Sequence, residues 1–185
     1  MGKLSAFTFI TLDGFYKGPE DDIAWHSHGE EETQFSEEML SLGNTLVFGR
    51  RTYEMMADFW TTDMAWDMSP KVAEGMNKAS KIVFSAQLPP DQIWENTRFV
   101  SGSLIESVQQ LKQTEKKDMT ILGSGSIVGQ LANQNLIDEY QIMIDPVALG
   151  KGSPLFGELH DSLSLKLIGS RIFTDGIVLL KYKSQ

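Results

Sequence analysis

Residues 3–11 are rich in β-formers and partly alternate between apolar and polar side chains, which predicts a first strand. Leu12, Asp13 and Gly14 end it, and Gly18-Pro19 followed by Glu20, Asp21 and Asp22 marks a loop. Phe35, Met39, Leu40 and Leu42 give an apolar face to a helix over 30–42, stopped by Gly43 and Asn44. Short apolar strands are predicted at 45–48, 81–84, 98–100, 119–122 and 140–144. Helices are predicted from the Gly49 turn to about 57, over 70–79, over 104–113, and from the 123–126 turn to about 135. Residues 58–69, with Trp, Asp and Met in no clean period, read as a loop. Near the end, Leu163, Leu165 and Leu167 alternate with polar residues, 177–183 form a second β run, and Thr174, Asp175 and Gly176 make the hairpin turn between them. Alternating αβ units up to about residue 145, then antiparallel strands, predict an α/β fold with a mixed, mostly parallel sheet. No repeat or linker divides it, so residues 1–185 read as one domain.

Composition narrows the chemistry. At 185 residues the chain is long enough for one sizeable core without covalent staples. It has no cysteine, which excludes disulfides, thiolate metal sites and a Cys nucleophile. A net charge of −9 repels nucleic acid and anionic membranes as a whole while leaving room for a local basic pocket. No apolar run nears the roughly 20 residues that cross a bilayer. The chain enters its first strand with no secretory leader pattern, so a cytoplasmic protein is expected.

Three strand-to-loop junctions carry candidate chemistry. At Gly49-Arg50-Arg51-Thr52, a glycine turn opens a helix, where free amides and the helix dipole attract an anion. Arg50 and Arg51 would either add charge-assisted bonds to a phosphate or pair with the plentiful carboxylates. At Gly123-Ser124-Gly125-Ser126-Ile127 the architecture repeats; with Gly129 it approximates a dinucleotide fingerprint, and Asp145 falls where a ribose-binding acid is expected. Too little chain follows for a doubly wound Rossmann domain, so the turn reads as a pyrophosphate seat of another fold or a ligand-free αβ connection. Ser85 and Gln87 lie just past a third strand, as ligand contacts or as a turn. Asp13, Asp21, Asp22, His26, His28, Glu30, Glu31 and Glu32 supply acid–base candidates. His26 and His28 lack the three- or four-residue spacing of metal ligands on one helix face, and no metal is expected. Gly150 to Gly157 read as a shaped connection in contact with a ligand or a second subunit.

In this order the segments Leu12-Asp13-Gly14-Phe15, Gly49-Arg50-Arg51-Thr52-Tyr53-Glu54, Ile121-Leu122-Gly123-Ser124-Gly125-Ser126 and the run from Pro146 to Phe156 resemble the dihydrofolate reductase-like family. Within it the chain looks like the reductase (RibD C-terminal) domain of riboflavin biosynthesis and its small single-domain bacterial relatives. The resemblance implies a three-layer fold with helices on both faces of a mixed sheet, NADPH across the strand ends, and a homodimer. It implies that Gly49, Arg50, Arg51 and Thr52 hold cofactor phosphates, with Ser85 near the 2′-phosphate. Gly123, Ser124, Gly125, Ser126 and Ile127 would cradle the pyrophosphate, and Leu12, Asp13 and Phe15 would close over the nicotinamide. It also implies hydride transfer to a small pteridine- or pyrimidine-like substrate, with Asp13, Glu30 or Glu31 supplying the proton and Glu32 competing for the carboxylate place on the first helix. Family members often carry paired glycines where this chain has Gly123-Ser124. The alternative is a non-catalytic NADP(H)-binding sensor or scaffold on the same fold.

Overall fold

Along the first strand, Leu4, Ala6 and Ile10 pack on one side and Phe7 and Phe9 on the other, as the period of two requires. A strand apolar on both sides belongs inside a covered sheet, and this one does. The computed structural model describes residues 2–26, 29–87 and 89–185. Its N-terminal elements are β1 (Leu4–Thr11), β2 (Phe15–Lys17), α1 (Glu30–Ser41), β3 (Thr45–Gly49), α2 (Arg50–Trp60) and α3 (Asp63–Met68). The middle of the chain forms α4 (Pro70–Lys78), β4 (Lys81–Phe84), β5 (Thr97–Val100), α5 (Leu104–Thr114) and β6 (Met119–Leu122). Then come α6 (Gly125–Ala132), β7 (Glu139–Asp145), β8 (Ser153–Pro154), β9 (Leu165–Ile172) and β10 (Val178–Ser184).

Eight strands form one sheet in the order β5-β4-β3-β6-β1-β7-β10-β9. The pairs from β5 to β7 are parallel, and β10 runs antiparallel to both β7 and β9. One sheet face is covered by α5 and α6 through Val108, Leu111, Ile127, Val128 and Leu131. The other carries α1, α2 and α4 through Phe35, Tyr53, Val72 and Met76. The expected three-layer architecture is therefore present, with helices on both faces. None of the helices is long and apolar enough to span a membrane, among the described residues.

Two local readings need correction. The segment 58–69 is not a loop: α2 continues to Trp60, and α3 covers Asp63–Met68. The hydroxyl of Thr62 accepts from the Ala65 amide, an N-cap that nucleates a helix of one and a half turns whose one buried residue is Ala65. So short an amphipathic stretch leaves no readable period. The small antiparallel pair β2–β8 was also not foreseen, since strands of three and two residues carry too few positions to alternate.

Past β4, Tyr53, Asn77, Lys81 and Trp94 build a buried polar cluster. The Trp94 amide donates to the Tyr53 hydroxyl at 2.8 Å, and the Trp94 indole donates to Asn77 Oδ1 at 2.7 Å. Lys81 is 1% exposed; its ammonium lies 4.2 Å from the Trp94 ring centroid and donates to the carbonyls of Asn77, Ala79 and Glu95. Burial pushes its pKa down to about 8, against a smaller upward pull from Glu95. Between that value and the unfolded one near 10.5, the unfolded chain binds more protons, so stability contributed by this site rises with pH. Urea unfolding of the wild type against Lys81→Met from pH 7.5 to 10.5 should show that slope, up to about 3 kcal/mol, absent from the variant.

Candidate functional site

The chain leaves β3 by α2 toward one face and leaves the adjacent β6 by α6 toward the other. A crevice opens where neighbouring parallel strands send their helices to opposite faces, and ligands of open α/β sheets bind there, beyond the strand carboxyl ends. Both glycine turns singled out in the sequence lie at this place. The Gly49 amide donates to the Ser124 hydroxyl at 2.8 Å, and that hydroxyl donates to Thr52 Oγ1 at 2.9 Å. Gly123 and Ser124 both adopt left-handed backbone, with φ of 58° and 56°. Gly125 and Ile127 are buried in the first turn of α6 and Ser126 is exposed.

Both arginines of the first turn have carboxylate partners. Arg50 Nε meets Glu54 Oε1 at 2.7 Å, one helical turn on, and Arg51, 86% exposed, lies 3.5 Å from Asp21. Asp21 also meets Lys17 at 3.2 Å, so the β2–α1 loop leans over the turn. Surface pairs of this kind contribute about 1 kcal/mol at most and yield readily to a competing phosphate. At the end of β4 the Ser85 hydroxyl donates to the Gln87 carbonyl and accepts from the Gln87 amide, a local turn at the same sheet edge.

Next along the edge, Leu12 is exposed and its amide donates to the Val147 carbonyl at 2.7 Å. The Asp13 carboxylate accepts from the Thr11 hydroxyl at 2.6 Å and from the amides of Leu149 and Gly150 at 3.2 and 2.7 Å. Those bonds pull its pKa below the ordinary value. Phe15 pairs with Pro154 across β2–β8. The 150–157 run thus contacts the chain's own 12–17 segment. Between the two, the Tyr16 ring lies so close to Gly125 that a Cβ there would fall inside it. Tyr16 was not singled out from the sequence, where nothing marks an aromatic on a three-residue strand.

The three glutamates opening α1 separate cleanly. Glu30 is exposed. Glu31 Oε2 accepts from the amide and hydroxyl of Thr174 at 2.6 and 2.7 Å, which lowers its pKa. Glu32 is 2% exposed, and desolvation raises its pKa, with a smaller upward push from Asp175. Gly29, the N-cap of α1, carries no side chain to cap with, and the Glu32 carboxylate from the third helical position lies close beside it. One oxygen, Oε1, is buried without a hydrogen-bond partner among the described residues, as is the indole nitrogen of Trp25. Asp13, Glu30 and Glu31 therefore lack the burial that a proton donor at neutral pH requires, and Glu32 has it.

Asp145 does not face a ribose. It is 2% exposed, and both its oxygens hold His26 Nδ1, at 2.9 and 3.0 Å, beneath a stack of His26 on Phe9 with ring centroids 3.7 Å apart. Spacing alone suggested the ribose contact; the pairing of Thr11 with Asp145 across β1 and β7 puts the carboxylate beside the incoming His26 instead. His28 lies outside the described residues. No group of three or more metal-ligating side chains occurs among the described residues.

Comparison with known proteins places this fold among known relatives. The chain is 27% identical over 173 residues to the uncharacterized protein YyaP of Bacillus subtilis (strain 168), covering 94% of this chain and 90% of that one. Its fold matches that of a protein from Shewanella sp. PV-4 assigned to riboflavin biosynthesis, with a TM-score of 0.77 at 24% identity over 99% of both chains. It also matches a dihydrofolate reductase from Enterococcus faecalis complexed with NADP(H), with a TM-score of 0.63 at 16% identity over 100% of this chain and 97% of that one. The model of the RibD C-terminal domain matches residues 3–179, and the chain accordingly belongs to the RibD C-terminal domain family.

Proposed function

We propose that this protein is a NADPH-dependent reductase of a small pyrimidine- or pteridine-like substrate. The observation that carries the reading is the seating of two glycine turns side by side at the β3/β6 crevice, tied by Ser124. A Cβ on Gly49 would lie 3.2 Å from Ile127 Cδ1 and from Ser124 Oγ, so glycine lets the two turns approach this closely, as a shared phosphate seat requires. Family membership and the NADP(H) complex of the Enterococcus reductase support it.

In this reading Arg50, Arg51 and Thr52, on the turn that Gly49 opens, hold the phosphates of the adenosine end, with the arginines exchanging their carboxylate partners for phosphate oxygens. Ser85 borders that end. Gly123 to Ile127 seat the pyrophosphate on the first turn of α6. Bound NADPH supplies a hydride. Leu12, Phe15 and Tyr16 shield the crevice from water, and Asp13 holds their loop to Leu149 and Gly150. Glu32 keeps its proton further toward neutral pH than an ordinary glutamate, and in this reading its carboxyl shares that proton with a ring nitrogen of the substrate, a role its buried, unpaired Oε1 supports.

Titration with NADPH and NADH, followed by energy transfer from the four tryptophans, tests the cofactor assignment. Saturable NADPH binding is expected, weakened at least tenfold by Arg50→Ala, since a charge-assisted phosphate bond contributes about 1.5–3 kcal/mol. It should be abolished by Gly123→Asp, which puts a side chain and a negative charge at a left-handed position. A wild-type protein that binds neither nucleotide would end the reductase reading.

A further inference from the structure

We infer that Ser124 is a positioning residue that locks the two glycine turns into one rigid dinucleotide seat. The inference rests on the cofactor reading above and assigns a role specific to this chain, since the resemblance leads one to expect a second glycine at that position. A glycine would adopt the observed φ of 56° without cost, whereas serine adopts it against the steric preference of its Cβ. The hydroxyl is what the strained backbone delivers. It is buried, in a residue 8% exposed, and spans two turns distant in sequence by accepting from the Gly49 amide and donating to Thr52 Oγ1.

The geometry has a consequence for binding. The Gly49 amide already has its acceptor, so it does not await an anion; its bond to Ser124 holds the start of α2 at a set distance from the start of α6. Two phosphate-bearing ends of one ligand then meet donors already at the right separation, and the ordering cost of bringing the turns together is met on folding rather than on binding. A serine kept only for packing would make the opposite prediction. Its replacement by glycine would relax the backbone and leave the seat intact.

The test compares Ser124→Gly, Thr52→Val, Thr52→Ser and the double variant Ser124→Gly/Thr52→Val, measuring both melting temperature and the Kd for NADPH. Ser124→Gly is expected to melt within a few degrees of the wild type, because relief of the left-handed serine offsets the lost hydrogen bonds, yet bind NADPH about tenfold more weakly. Thr52→Val should weaken binding similarly, and Thr52→Ser, which keeps the hydroxyl, should bind as the wild type does. The double variant should be no weaker than the worse single one, because both remove the same link. Wild-type affinity in Ser124→Gly, or losses that simply multiply in the double variant, would overturn the inference while leaving NADPH binding established. Should Ser124→Gly fail to fold, the contrast of Thr52→Val with Thr52→Ser decides. Failure of the wild type to bind NADPH would overturn this role together with the cofactor reading.

Discussion

Glu32→Gln should lower reductase turnover about a hundredfold or more while leaving NADPH affinity within a factor of two. The amide is isosteric, so the side chain still fills the same place at the start of α1. What disappears is a titratable proton in a buried place. Glu31→Gln and Glu30→Gln should change turnover far less, because one side chain is committed to Thr174 and the other is exposed. The pH profile supplies a second readout. Glu32 has a raised pKa in the folded protein, so turnover that needs its protonated form falls as pH rises through that value. Stability follows the same sign: above the unfolded pKa of about 4.5 the folded state retains the proton longer, so rising pH removes stability until the folded pKa is passed. Glu32→Gln should flatten that decline in urea melts between pH 4.5 and 8. Equal turnover in Glu32→Gln and wild type, once a substrate is found, would move the proton source elsewhere.

The largest loss of stability is expected from Asp145→Ala. Its carboxylate and the His26 imidazole are both nearly inaccessible, and both carboxylate oxygens engage one nitrogen. Removing the carboxylate leaves a buried imidazole nitrogen without this partner, which costs about 1–3 kcal/mol. Against a total stability of about 5–15 kcal/mol that is a large fraction. For a chain of this size it corresponds to a fall in melting temperature of roughly 3–8 °C. Asp145→Asn, which retains a hydrogen-bonding oxygen, should lose less. The pair joins the segment before α1 to the end of β7, and Phe9 stacks on the imidazole, so the damage should concentrate beside the crevice. Hydrogen exchange of Asp145→Ala should show early opening at 18–26 and at the end of β7. Unchanged exchange there, with a melting temperature within about 2 °C of wild type, would show that the pair holds nothing in place.

Much of the fold was legible because its signals are local. Central strands such as 45–48, 81–84 and 119–122 are short apolar runs bounded by turn residues, and each stands in the structure within a residue of its expected bounds. The antiparallel end announced itself through Thr174-Asp175-Gly176, where Gly176 takes a φ of 92°. Elements of a few residues escaped: α3 and the β2–β8 pair are held by contacts across the chain and present no period of their own. At the site, the two glycine turns were visible as strand–glycine–helix junctions, but nothing in their spacing revealed that they touch.

The chain's pattern by itself determined an α/β sheet with antiparallel strands at its end, two glycine turns after parallel strands, and three glutamates competing at one helix start. Only the tertiary structure decided among those glutamates, because burial depends on what packs over a side chain rather than on its neighbours in sequence. It alone gave Asp145 to His26, laid Tyr16 against Gly125, and brought Ser124 to Gly49 and Thr52. Each of these joins residues far apart in the chain, through a register of strands that fixes which distant side chains share an edge.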